Sequence, residues 1–122
     1  MKSKHKISLF NISIILLLFI TTGCYYDQVM PLEIEGDVSY SVDIQSFFDA
    51  KCISCHGGNE APNLTSPGSY TVLISDNYIN TSDPASSLLY VKIIAGGSME
   101  GYASDTERAI TLKWIEQGAI EN

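Results

Sequence analysis

The chain has 122 residues, three cysteines and a formal net charge of −7, which bounds it to one small domain. Its surplus of acid argues against nucleic acid or anionic lipid as charge-driven partners. A basic patch on another protein is the natural encounter surface.

The N-terminus reads as an address. Lys2, Lys4 and Lys6 precede the apolar run "ISLFNISIILLLFI" (7–20), followed by the small polar Thr21 and Thr22, then Gly23 and Cys24. Basic, greasy and small-residue segments in that order predict an export signal over residues 1–23. The unbroken apolar part, Ile12 to Ile20 with only Ser13 interrupting, falls short of the roughly 20 residues a bilayer-spanning helix needs. Gly23-Cys24 resembles the lipobox of bacterial lipoproteins. That resemblance implies lipidation of Cys24 and a membrane-anchored product facing the periplasm or cell surface. Removing residues 1–23 takes three basic residues and no acidic ones, leaving 4 − 14 = −10.

Residues 24–39 read as an acidic tether. They hold Pro31, Gly36, Asp27, Glu33, Glu35 and Asp37, and no helical period runs through them. Val29, Met30 and Leu32 are its candidates for touching the domain, which is expected over 40–122. There Ile44, Phe47, Phe48 and Cys52 fall on one face of a helix. Ser41 is the predicted N-cap, Asp43 suits the first-turn dipole, and the helix is expected to stop at Gly57-Gly58.

The stretch "NEAPNLTSPGS" (59–69) is loop chemistry. Two short segments follow, Tyr70–Ile79 and Ala85–Ala95. The second opens after Pro84, with Ser82 or Asp83 as cap and Leu88, Leu89, Val91 and Ile94 as its buried side. Tyr, Val and Ile enrichment in "YTVLIS" and "LLYVKII" keeps strand open for both. After a second loop, "GGSMEGYAS" (96–104), Ser104 and Glu107 form a capping box. The last helix it opens carries Ile110 and Trp114 on one line, Leu112, Ile115 and Ala119 on another, and Gly118 as its stop.

The chemistry concentrates in "CISCH". A closed zinc site takes four ligands in short-spaced pairs, yet beyond residue 23 the chain has one histidine, His56, and no second cysteine pair. A dithiol switch wants its thiol at a helix N-terminus, whereas Cys52 and Cys55 follow the predicted helix, where the dipole disfavours a thiolate. Haem fits best. In C-x-x-C-H the two thiols add across the two vinyl groups, and the adjacent imidazole lies beneath the macrocycle, where it can ligate iron.

With Phe47-Phe48 before "CISCHGG", "APNL" after it, "LYVKIIAGGSM" and a last helix bearing Trp114, residues 40–122 resemble a class I c-type cytochrome domain in a short monohaem form. The resemblance implies an all-α fold packed around one covalent haem c, and sets the strand alternative aside. It implies Cys52 and Cys55 as thioether positions and His56 as proximal ligand. Pro62 would accept the second imidazole N–H through its carbonyl, Leu64 would pack on the haem, and Met99 would be the sixth ligand. The family often carries proline beside that methionine; here Glu100 stands there. Trp114, Phe47 and Phe48 read as core and haem-wall packing, and Tyr70, Tyr78, Tyr90 and Tyr102 as candidates for a haem-edge contact.

The implied function is that of a lipid-anchored single-electron carrier with His/Met ligation, exchanging electrons with redox partner proteins and not acting as an enzyme. The alternatives are a haem-free dithiol redox or binding lipoprotein, and a five-coordinate haem protein that binds a small ligand.

Overall fold

In a computed structural model, which describes residues 32–122, every regular element is helical and no strand occurs among the described residues. The signal over 1–23, Cys24, and Val29 and Met30 of the tether lie outside the described residues. Both segments with strand-like composition are helical, and each buries residues four apart, Ser69 with Leu73 and Leu89 with Ile93, the spacing of a helix face.

The N-cap of the first helical segment is Ser39, two residues ahead of the predicted Ser41. The Ser39 hydroxyl accepts from the Val42 N–H, and the Asp43 carboxylate accepts from the Ser39 N–H at 2.8 Å. Ser41 is diverted: its N–H and its hydroxyl both donate to the Asn122 carbonyl. The opening turn, Tyr40–Ile44, is π-helical, with the Gln45 N–H reaching back to the Tyr40 carbonyl. Helix α1 (Gln45–Lys51) continues through Cys52 into the single turn α2 (Ile53–His56). The apolar spacing is realised: Ile44, Phe47 and Phe48 are buried and Cys52 is half-buried. Gly57 ends the run as predicted. A Cβ there would stand 2.6 Å from the Ile53 carbonyl oxygen.

Contact between the upstream segment and the core is made by Val38 and Ile34, while Leu32 is 51% exposed. Gln117 fixes this segment, donating to Asp37 and accepting from the Val38 N–H. Packing therefore starts ahead of residue 40.

Helix α3 (Ser69–Ser75) buries Ser69 and Leu73. The turn that follows is organised by Asn80, whose side-chain oxygen accepts from the N–H groups of Ser82 and Asp83. Neither Ser82 nor Asp83 supplies a side-chain cap to the 3-10 turn Pro84–Ser86. Helix α4 (Leu88–Ile93) turns Leu89 and Ile93 inward, an i,i+4 pair, and leaves Leu88 and Val91 each 41% exposed. The inward face is thus narrower than Leu88, Leu89, Val91 and Ile94 together.

A 3-10 turn, Glu100–Tyr102, leads into α5 (Asp105–Glu116), which opens on the complete Ser104–Glu107 capping box. Its C-terminus is a Schellman motif: the Ala119 N–H bonds the Trp114 carbonyl and the Gly118 N–H bonds that of Ile115, with Gly118 at φ +97°. Trp114, fully buried on α5, packs against Tyr40 with ring centroids 5.2 Å apart. Tyr70 completes this aromatic cluster and donates to the Ala119 carbonyl. No helix of the described residues is long and apolar enough to cross a membrane.

Candidate functional site

The first structural consequence of "CISCH" is where it stops. α2 is one turn, and beyond Gly57 the chain loops back so that the Leu64 N–H donates to the His56 carbonyl at 2.8 Å. Inside that loop His56 Nδ1 lies 3.1 Å from the Pro62 carbonyl oxygen. A carbonyl only accepts, so Nδ1 is the donor, which in the neutral ring leaves the Nε2 lone pair for a ligand. This is the arrangement by which a backbone carbonyl orients an imidazole for metal ligation.

Gln45, only 7% exposed, anchors the far end of the loop. Its amide N–H donates to the Leu64 carbonyl at 3.0 Å and to Asp49 at 2.7 Å. Its carbonyl accepts from the Ser69 hydroxyl, which in turn accepts from Tyr40 at 2.7 Å. α1, α3 and the His56 loop are thereby tied through one satisfied buried network.

A cavity of about 560 Å³ opens beside these residues, within the range of sites that hold a cofactor-sized molecule. Cys52, Cys55, His56, Pro62, Leu64 and Met99 all line it, and so do Phe47, Phe48, Leu89 and Ile93. Residues from α1, α2, the following loop, α4 and the loop before α5 therefore meet at one place. Tyr78 and Tyr102 reach it too; Tyr70 does not, being committed to Trp114 and Tyr40, and Tyr90 and Trp114 do not line it. Charge enters through Lys51, Lys92 and Glu60.

Met99 is half-buried against the core, and its N–H donates to the Lys92 carbonyl at 2.8 Å. The close approach needs Gly97, where a Cβ would stand 2.4 Å from the carbonyl oxygens of both Val91 and Lys92. Glu100 accepts from the Gly96 N–H at 2.9 Å, closing the same loop from its other side.

Burial, reinforced by the nearby Glu107 carboxylate, pushes the Cys52 thiol up to about 11. The Lys51 ammonium, which would lower it, is engaged with Glu107 at 2.7 Å. A thiol held protonated is a poor nucleophile for disulfide exchange, so Cys52 is ill suited to be an attacking sulfur. Among the described residues no three His, Cys, Asp or Glu side chains gather to hold a metal ion. The donors suited to iron are one imidazole and one thioether. Together with two thiols three apart on an apolar wall, that donor set fits a covalently attached haem.

Sequence patterns missed several contributors. Ile93 as cavity wall needed the orientation of α4. Gln45 had a faint signal, as a polar residue set beside Ile44 and Phe48 on an apolar face. Arg108 had another: a cation in the first turns of a helix opposes the dipole and implies a partner elsewhere.

Compared with known proteins, the chain matches no family model, no characterised sequence and no solved structure.

Proposed function

We propose that the protein is a monohaem c-type cytochrome, an exported, lipid-anchored carrier of single electrons between partner proteins. One observation carries it: the two thiols and imidazole of "CISCH" share one largely apolar cavity with the thioether of Met99, contributed by a distant segment. In this reading Cys52 and Cys55 would hold the macrocycle, and His56 Nε2 and Met99 Sδ would ligate its iron. A haem bound there supplies one-electron exchange between ferrous and ferric iron.

The chain's own residues do the rest. The Pro62 carbonyl holds the His56 proton at Nδ1, which orients the ring and raises its basicity. Phe47, Phe48, Leu64, Leu89 and Ile93 exclude water and lower the local dielectric, and a neutral thioether favours the reduced state. With His56 and Met99 as its two protein ligands, a haem held here would exchange electrons and not turn over a substrate. Export and lipidation at Cys24 belong to the same proposal, since covalent haem attachment is an extracytoplasmic process.

The test is maturation of the full chain in a bacterial host competent for covalent haem attachment. Expected are the mass of one haem on the polypeptide, alkylation-resistant Cys52 and Cys55, and a low-spin spectrum with a thioether charge-transfer band when oxidised. Colourless protein with both thiols alkylatable would overturn the proposal, and carbon monoxide binding to the reduced protein would move it to the five-coordinate alternative.

A further inference from the structure

We infer that Arg108 is a positioning residue for the Met99 ligand, a role that rests on the haem assignment above. Arg108 does not line the cavity. Its guanidinium instead makes three contacts on three segments. Nε donates to the Ile93 carbonyl at the end of α4, Nη2 to the Glu100 carbonyl, and Nη1 to Asp105, each at 2.7 or 2.8 Å. The two carbonyls bracket the loop that carries Met99.

On its N-terminal side Met99 is pinned through its own N–H to Lys92. Directly after it, the Glu100 carbonyl is held by Arg108 while the Glu100 carboxylate turns back to the Gly96 N–H. The loop therefore has its main chain tied before, at and after the ligand without a proline. A planar fork with fixed donor directions can bridge two carbonyls and a carboxylate at once, which an ammonium cannot do with the same geometry. Bonds from a charged donor are also about twice as strong as neutral ones. The placement of Arg108 near the start of α5, against the helix dipole, is explained by the loop it holds.

The experiment uses the full-length holoprotein with Arg108→Gln, Arg108→Lys, and Lys113→Gln as a control for lost charge on the same helix. Three readouts are taken: the thioether charge-transfer band of the oxidised protein, imidazole affinity for the oxidised iron, and the thermal midpoint. Both Arg108 variants are expected to lose most of the band and to bind imidazole about tenfold or more tighter, the equivalent of one charge-assisted hydrogen bond. Haem mass and His56 ligation stay intact, and Lys113→Gln matches the wild type. Arg108→Lys retains a cation beside Asp105, so it keeps the test open if Arg108→Gln fails to fold. Folded Arg108→Lys with wild-type band and imidazole affinity overturns the role. A wild-type protein that carries haem but no thioether band overturns the Met99 assignment and this inference together.

Discussion

His56 Nδ1 stands 3.1 Å from the carbonyl oxygen of Pro62, so a side chain from the last turn of α2 is aimed by the backbone of the loop that leaves it. The pair divides the imidazole into a structural nitrogen and a chemical one. On the proposed haem reading, replacing the ring removes the ligand without removing the loop, because the Leu64 N–H still bonds the backbone carbonyl of residue 56. His56→Gly holoprotein is therefore expected to lose its low-spin spectrum and to regain much of it on adding free imidazole. Failure of imidazole to change the spectrum, in a variant that still carries covalent haem, would place the proximal ligand elsewhere.

The buried network around Gln45 makes a prediction about stability. Gln45→Leu keeps approximate volume but strands the Leu64 carbonyl, and it removes the acceptor for the Ser69 hydroxyl, which keeps its bond from Tyr40. Leaving a buried polar group without a partner costs about 1–3 kcal/mol, so a loss of at least about 1–3 kcal/mol is expected in urea unfolding. Gln45→Glu should cost less at low pH, where a protonated carboxyl can donate once, than at neutral pH.

What the sequence made legible divides along local and distant partners. The Ser104–Glu107 box and the Gly118 stop are written within a few residues, and the structure has both. The buried face of Ile44, Phe47 and Phe48 was legible because its period spans two turns. α4 is only Leu88–Ile93, too short for periodicity to choose between Leu89–Ile93 and Leu88–Val91. The N-cap is Ser39 and not Ser41: both hydroxyls donate to the Asn122 carbonyl, at the other end of the described chain, and that of Ser39 also accepts from the Val42 N–H. "CISCH" announces itself as a contiguous motif. The residues that place its surroundings, Gln45 and Arg108, act on carbonyls that no sequence pattern points to.

Acid should weaken the fold through Glu107. Partial burial alone would raise its carboxyl, but the Lys51 ammonium and the N–H and hydroxyl of Ser104 outweigh that and hold it below its ordinary value of 4.5. A carboxyl depressed in the folded state contributes fully above the unfolded pKa and loses that contribution as pH falls through the folded one. Wild-type unfolding midpoints in urea are therefore expected to drop from about pH 4.5 downward more steeply than those of Glu107→Gln. Curves that stay parallel across that window would remove Glu107 from the account.

Two glycines, each two residues from Met99, give opposed expectations. At Gly97 a methyl would meet the Val91 and Lys92 carbonyl oxygens at 2.4 Å and the Lys92 carbonyl carbon at 2.6 Å, all backbone atoms of α4. Nothing there is a flexible side-chain end, so either the loop lifts or α4 distorts. Strain of this kind costs about 1–3 kcal/mol, or a thermal midpoint lower by about 4–8 °C per kcal/mol in a domain of this size. At Gly101 a Cβ meets nothing within 4 Å, and a substitution free of such conflict is expected to stay within about 0.5 kcal/mol. Because the Met99 N–H bonds the Lys92 carbonyl that Gly97 approaches, Gly97→Ala should also weaken the thioether band, whereas Gly101→Ala should leave it. If both variants melt alike and keep the band, the close approach of this loop to α4 is not what holds Met99 at the cavity.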